Sequence, residues 1–300
     1  MSNDALEIFK IPDFEKDAVD SSEFYYAELK RHLYNHKFIQ KPHKHDFYII
    51  LLFTSGSGIH TIDFKSYEVN PGSAFFLSPG QVHSWELSSD ANGHILFFSS
   101  DFYCSVFTRK RLNRFIFFHS SFNSRYLRIS EEEMTEVLFI FERVRREVEN
   151  PNWSGMELLK NYTDLLLINF YRFYSSKTAF LEEKIQSYDQ FQNLEDLIDE
   201  NFKKHREASY YAEAMNLSLK QLNALSKKTV AKTISQLIME RVILESQRLL
   251  IHSDLSISEI AYEIQFEDPS YFSRLFKKKT GMTPDQFRKQ IKTLYANSQS

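Results

Sequence analysis

The sequence predicts a multidomain α+β protein: an antiparallel β-barrel with a helical hairpin, followed by an all-helical part containing two helix-turn-helix units. Three observations lead to this prediction. Short apolar runs separated by turn residues dominate residues 24–99. Capped, helix-forming segments fill most of the remaining chain. Near the C-terminus, one pattern of caps, turns and apolar positions occurs twice.

The barrel is predicted from strand-length apolar runs that end at glycine, proline and serine. The runs 47–54, 59–64, 74–77 and 94–99 are separated by Ser-Gly-Ser-Gly, Asn-Pro-Gly and Ser-Pro-Gly segments. Six or more short strands at this spacing are typical of an antiparallel sandwich or barrel.

Two amphipathic helices follow the strands. Ser130 and Glu133 form a capping box that opens the first helix, and Ser154 opens the second. Their short connection predicts a hairpin at about 130–174. The apolar stripes of this hairpin allow two roles, padding against the barrel and a dimer face, and the residues leave both open.

The expected domain organisation follows from these patterns. Residues 1–174 are predicted to form a β-rich domain with the hairpin, 175–187 a linker, and 188–300 a helical domain.

Residues 256–289 specify two short helices, a tight turn between them and the start of a third helix. Ser256 and Glu259 form a capping box. Asp268 is placed as an N-cap before Pro269, which is favoured at the first helical position. A short helix, a turn and a second helix is the arrangement that places one helix in the DNA major groove.

The second helix of this unit has one apolar and one polar side. Phe272 and Phe276 lie on one face at helical spacing and are predicted to pack inward. The opposite side is predicted to face the groove through Ser270, Ser273, Arg274 and Lys277, with Lys278 and Lys279 mainly on phosphates.

An earlier stretch, 207–228, repeats this arrangement. A short helix and a turn precede a capping box formed by Ser218 and Gln221. The predicted DNA-binding residues here are Ser218, Lys220, Asn223, Ala224, Lys227 and Lys228. A long helix at 233–252 joins the two units, so the two recognition helices are expected to enter successive major grooves about one turn of DNA apart.

These motifs resemble the AraC/XylS family of bacterial transcription regulators. The matching residues are Arg248-Leu249-Leu250, the runs 256–261 and 266–278, Gly281, Thr283-Pro284 and Phe287-Arg288. The resemblance implies that residues 1–174 form a cupin-like sensing and dimerisation domain and that residues 188–300 form a DNA-binding domain with two helix-turn-helix units. It also favours activation of transcription. Three residues depart from the family pattern: Gln265 and Ala231 stand where glycine is usual, and Ser226 where phenylalanine is common.

Histidines of the first domain resemble the two histidine motifs of the cupin barrel. They are His43, His45 and His83. Metal-binding cupins carry a glutamate where this chain has Ile49 or Ile50, so neither a metal nor another cofactor is expected. Three roles remain open: hydrogen bonding inside the barrel mouth, a small-molecule pocket lined also by Tyr48 and Trp85, or, against that expectation, three imidazoles that hold zinc or copper with a water.

Composition limits the remaining function classes. The net charge is only −3, which argues against a general nucleic-acid binder. A single cysteine, Cys104, and the absence of a signal peptide or apolar span predict a cytoplasmic protein without membrane contact. No phosphate-binding loop or nucleophile elbow occurs, so no enzyme is expected.

The sequence therefore predicts a sequence-specific DNA-binding transcription regulator. Its expected partners are double-stranded DNA, a second copy bound through the hairpin, RNA polymerase if it activates, and an unidentified small molecule. The alternative is a metal-dependent cupin enzyme, a dioxygenase or isomerase, with a helical appendage.

Overall fold

The computed structural model describes residues 8–14, 22–36, 39, 41–107, 112, 115–118, 124–177 and 185–297. The chain divides into two compact units, one within Glu7–Glu182 and the other within Glu183–Ser300. The first is built mainly from strands and the second from helices, which confirms the predicted fold class.

The first unit contains two five-stranded sheets in its described part. Their strands are β1 (Ile8–Phe9), β2 (Phe24–Glu28), β3 (His43–His45), β4 (Tyr48–Ser55), β5 (Gly58–Ile62), β6 (Lys65–Val69), β7 (Ser73–Leu77), β8 (Val82–Leu87), β9 (Asn92–Phe98) and β10 (Tyr126–Arg128). One sheet has the order β1-β3-β8-β5-β6 and the other β10-β7-β4-β9-β2. All described pairings are antiparallel except β1 with β3. Two short helices, α1 (Leu29–Asn35) and α2 (Ser100–Cys104), complete the strand-rich region.

The second sheet is buried on both faces. Ile49 and Leu51 of β4 belong to the apolar core between the sheets. Tyr48, on the opposite face of the same strand, packs against Phe98 and Phe118, with ring centroids 5.2 and 4.9 Å away. Because both faces are covered, β4 is a continuous apolar run rather than an alternating one.

The predicted helical hairpin is present and covers that outer face. Its helices are α3 (Glu131–Glu149) and α4 (Gly155–Lys177), and the capping box of Ser130 and Glu133 opens α3 as expected. Phe170 of α4 packs edge-on against Phe76 of β7, with ring centroids 5.1 Å apart. The hairpin therefore does pad the barrel, which was one of its two expected roles.

The second unit consists of helices in its described part. They are α5 (Ile185–Asn201), α6 (Ala208–Ala214), α7 (Leu219–Val230), α8 (Ile234–His252), α9 (Ile257–Glu263), α10 (Pro269–Thr280) and α11 (Pro284–Asn297). Within the predicted linker 175–187, residues 175–177 end α4 and residues 185–187 begin α5. No helix in the described part of the chain has the length and apolar content to cross a bilayer.

Two helix-turn-helix units, α6–α7 and α9–α10, lie on either side of α8. In each unit, the second residue after the C-cap of the first helix donates a backbone hydrogen bond back to that helix. Leu217 N donates to Ala212 O at 2.9 Å, and Phe266 N donates to Ala261 O at 2.8 Å. The predicted capping boxes at Ser218 and Ser256 are both formed. Equivalent local bonds give the two units equivalent turns.

Candidate nucleic-acid interface

The second helices of the two units, α7 and α10, are near copies. Each has 12 residues and ends at a residue in the left-handed conformation, Ala231 in the first and Gly281 in the second. The inward positions also correspond, since Leu222 and Phe272 are both fully buried. Neither helix contains an acidic residue.

The predicted contact face of α10 is open to solvent. Exposed residues on it are Ser270, Arg274, Lys277, Lys278 and Lys279, whereas Ser273 is half-buried. The Arg274 side chain is 71% exposed and its guanidinium lies 3.8 Å from Asp268, a contact weakened by water. The three lysines occupy the last turn, where the helix dipole favours positive charge. Arg274 and the lysines are thus available to an anionic partner.

The corresponding face of α7 is less basic. Its exposed predicted residues are Ser218, Lys220, Ala224, Lys227 and Lys228. Because alanine has no hydrogen-bonding side chain, Ala224 can offer only apolar contact where α10 offers Arg274. The two helices therefore present the same geometry with different chemistry.

Asn223 was expected to face the groove, but its side chain is half-buried and bonded within the protein. Its amide nitrogen donates to Leu219 O at 3.1 Å, and its amide oxygen accepts from Ile234 N at 3.2 Å. The second bond satisfies a backbone N–H at the start of α8, a group that has no partner within its own helix. Asn223 thus links α7 to α8.

Ser226 also has a structural role that the sequence did not suggest. Its side chain is fully buried, and its hydroxyl donates to Lys232 O at 2.6 Å, across the connection to α8. A buried hydroxyl needs such a partner. This bond explains how α7 accommodates serine at a position of the inner face where α10 has Phe276.

A groove of about 820 Å³ lies beside the N-terminal part of α10. Among its lining residues are Lys203, Lys204 and Arg206 from the connection between α5 and α6, together with Arg274. Sequence patterns did not associate these three cations with α10, because they lie in a connection far from it in the chain. Only the fold brings them to the same groove.

The predicted histidines of the first unit do come together, and a fourth joins them. His43 and His83 are register partners in β3 and β8 with ring centroids 4.4 Å apart, and His45 lies 5.2 Å from His83. His60 of β5, which sequence reasoning missed, shares a hydrogen bond with His83 at 3.0 Å. Trp85 packs beside them, 5.2 Å from His83. The available sequence signal was the spacing of His60 from Ile62, because residues two apart in a strand share a face and Ile62 is an apolar core position.

Burial keeps this cluster neutral. Desolvation lowers the pKa of His43 to about 4 and the pKa values of His45 and His60 to about 3. Four nitrogen atoms of the cluster are buried without a hydrogen-bond partner among the described residues: His45 Nε2, His60 Nδ1, His83 Nε2 and Trp85 Nε1. Within the described part of the chain, no group of three or more His, Cys, Asp or Glu side chains is arranged to hold a metal ion.

Tyr48 does not join the histidines, so its predicted place in their pocket is wrong. Successive side chains of a strand point to opposite faces. Ile49 takes the inward position of β4, and Tyr48 consequently lies against Phe98 and Phe118 under the hairpin.

Each of the two units matches a model of a known protein family. The AraC-like ligand-binding domain model matches residues 28–120, and a helix-turn-helix domain model matches residues 211–290. The transcriptional activator RhaR of Enterobacter sp. (strain 638) is 24% identical over 253 residues, covering 82% of this chain and 86% of that protein. RhaR of Escherichia coli K12 is 24% identical over 251 residues, with the same two coverages.

Two solved structures are also similar. ToxT from Vibrio cholerae has 16% sequence identity and a TM-score of 0.41, covering 89% of this chain and 98% of its own. The C-terminal domain of AraT, a response regulator from Geobacillus stearothermophilus, has 25% identity and a TM-score of 0.32, covering 34% of this chain and 84% of its own. The two family matches together span more than half of the sequence, one in each compact unit. The chain belongs to the AraC family of DNA-binding transcription regulators.

Proposed function

We propose that this protein activates transcription from operators with two half-sites, and that α7 and α10 enter successive major grooves. The observation that carries this proposal is the pair of equivalent, capped helices with exposed faces free of acidic residues. Recognition helices of paired helix-turn-helix units read sites about one DNA turn apart. The activator role rests on the relatives' description as transcriptional activators, and it makes RNA polymerase a partner.

The contacts divide into base recognition and phosphate anchoring. We assign Arg274 to a base, because an exposed arginine on the open face of a recognition helix can form a bidentate pair with guanine. Lys277 and Ser270 are placed beside it on the same exposed face. Lys227, Lys228, Lys278 and Lys279 are assigned mainly to phosphates. We assign Asn223 a structural role instead of a DNA contact, because its side chain already bridges α7 and α8.

Selection from a random DNA pool tests this function. The full-length protein should enrich one sequence with two separated half-sites. Binding to the selected duplex should exceed binding to a scrambled duplex of equal length by about 10³-fold or more, as for specific regulators. Equal affinity for both duplexes would refute the proposal.

We also propose a homodimer formed through the helical hairpin. Phe139 of α3 is 63% exposed, and Leu158 and Leu165 of α4 are 40% and 44% exposed. Large apolar side chains on the open side of a hairpin support a protein contact. Sedimentation velocity should show a dimer that Leu165→Glu shifts to monomer. A monomer at all concentrations in the unmodified protein would exclude the dimer.

The barrel is proposed as the site of a small polar effector rather than an active site. The unpaired nitrogens of His45, His60, His83 and Trp85 can donate to or accept from such a molecule. Neutral, mutually packed imidazoles do not offer the carboxylate of a metal-dependent cupin enzyme. A metabolite panel tests the effector, since a ligand that binds only the folded state raises the melting temperature. We place the protein in the cytoplasm, where its DNA is.

A further inference from the structure

We propose that Arg206 is a positioning residue that sets the orientation of α10 relative to α7, and through it the half-site spacing that the protein accepts. The inference rests on the proposed two-groove function. Arg206 lies outside both recognition helices and would not itself identify a base. Its side chain instead connects the start of the first helix-turn-helix unit to the turn of the second.

On the side of the first unit, the connection that carries Arg206 is held firmly. The His205 ring stacks on Tyr210 with centroids 3.8 Å apart and planes inclined by 6°. The Tyr211 hydroxyl donates to His205 O at 2.7 Å, and Tyr211 is fully buried. The Tyr210 hydroxyl donates to Asn201 at 3.3 Å, at the end of α5. The backbone segment that carries Arg206 is therefore fixed to both α5 and α6.

On the side of the second unit, Arg206 contacts the turn between α9 and α10 at two points. Its Nη2 donates to Ile264 O. Its guanidinium carbon lies 3.7 Å from the centroid of the Phe266 ring, a cation–π arrangement. These contacts flank Gln265, which has a φ of 59°. Arg206 thus holds both neighbours of the left-handed residue that defines the turn.

The contact reaches the recognition helix through Phe266. Phe266 is 4% exposed and lies 5.4 Å, between ring centroids, from the fully buried Phe272 of α10. A movement of Phe266 therefore cannot occur without repacking the inner face of α10. Arginine suits this position because one planar group can stack on a ring and donate hydrogen bonds at the same time.

A neighbouring ion pair connects the same two helix-turn-helix units less firmly than Arg206 does. Lys203 contacts Glu263 at 2.6 Å, but the two side chains are 35% and 50% exposed. Ion pairs at that exposure contribute little to holding two elements together. Apart from α8, Arg206 is therefore the stronger connection between the two units, because its half-buried guanidinium contacts both a ring and a carbonyl.

Spacing selectivity is the property that this coupling controls. Inserting one base pair moves the second half-site by about 3.4 Å and rotates it by about 35° around the duplex. A rigid pair of recognition helices should reject that change, whereas a pair coupled only through α8 should tolerate it better.

The test compares affinities of the full-length protein for three duplexes: the selected operator, and the same operator with one base pair inserted or removed between half-sites. For the unmodified protein we expect the selected spacing to be favoured by about 30-fold. In Arg206→Met this preference should fall to about threefold. The ratio is insensitive to the fraction of protein that is folded, so a merely destabilising effect would leave it unchanged.

Two further variants distinguish the effect of the Arg206 contacts from the effect of its positive charge. Lys204→Met removes an exposed charge from the same connection and should keep the spacing preference. Arg206→Lys keeps the charge but loses the planar stack, and should lose the preference like Arg206→Met. An unchanged ratio in both Arg206 variants, or an equal loss in Lys204→Met, would overturn the inference. Failure to find any specific operator would instead refute the proposed function.

Discussion

Asn216 and Gln265 occupy the same place in the two helix-turn-helix units, and both have left-handed backbone, with φ of 54° and 59°. Each is the second residue after its first helix and precedes the residue whose N–H returns to that helix. Asparagine tolerates this conformation comparatively well, whereas glutamine does not. The turn geometry is therefore shared, and the second unit adopts it with the less suitable residue.

Replacing Gln265 with glycine should stabilise the second unit. A left-handed conformation costs an L-residue roughly 1–2 kcal/mol, and glycine gives back roughly 0.4–1 kcal/mol through the entropy of the unfolded chain. We expect a net gain of about 0.5–1 kcal/mol in the free energy of unfolding. Urea unfolding of the full chain, followed by far-ultraviolet circular dichroism, measures it.

Glu267→Gly is the matched control for that prediction. Glu267 lies in the same turn, is exposed, and is not among the residues with positive φ. Glycine there relieves no strain and should lower stability. If both glycine variants lost stability equally, the strain assigned to Gln265 would be absent.

Asn223→Ala should lower stability rather than alter base recognition. Losing the bond to Ile234 N leaves a backbone donor unsatisfied, at about 1–3 kcal/mol, while alanine gains roughly 0.5 kcal/mol in helix propensity. The expected net loss is about 1 kcal/mol. Lys220→Ala, on the exposed face of the same helix, should change stability by less than about 0.5 kcal/mol. A changed base preference in Asn223→Ala with unchanged stability would contradict the assignment.

Arg274 and Lys278 should differ in how their loss affects DNA binding. Arg274→Met should weaken binding to the selected operator by about 1–3 kcal/mol and relax the preference at one base position. Lys278→Met should weaken binding to all sequences alike. It should also reduce the slope of log affinity against log salt concentration by about one. Fluorescence anisotropy across a salt series measures both. Identical profiles for the two variants would refute the division into base and phosphate contacts.

The buried histidines should make the first unit less stable in acid. Histidine has a pKa near 6.5 in the unfolded chain, and burial lowers the pKa of His60 to about 3. Below about pH 6.5 the unfolded state therefore binds more protons, and stability is lost as the pH falls toward 3. Each such histidine contributes up to about 1.4 kcal/mol per pH unit.

His60→Gln isolates one histidine of that cluster. Both tryptophans of the chain, Trp85 and Trp153, belong to the first unit, so tryptophan fluorescence reports its unfolding. Between pH 6 and 4.5, the variant should show a shallower loss of stability than the unmodified protein. Parallel pH profiles would show that His60 is not held neutral by the fold.

Local chemistry made much of the fold predictable. The capping boxes at Ser130, Ser218 and Ser256 are sequence-local, because each joins residues three apart, and all are formed. The unusual backbone at Gln265 was likewise visible, since a side chain stood where the turn favours glycine.

Contacts between distant segments were not predictable in the same way. The side of β4 that Tyr48 would occupy depended on the register of a sheet buried on both faces, where an apolar run carries no alternation. The bond from Asn223 to Ile234 and the reach of Arg206 to Phe266 depend on how helices pack. A helical wheel shows which residues share a face, but not which of them another helix will cover.

We propose that α7 and α10 together recognise one bipartite DNA site. Sequencing the duplexes that the full-length protein retains from a random pool tests it most directly. We predict one enriched motif with two half-sites whose centres lie about 10 base pairs apart. Retention of a single uninterrupted half-site, or of no common sequence, would contradict this account.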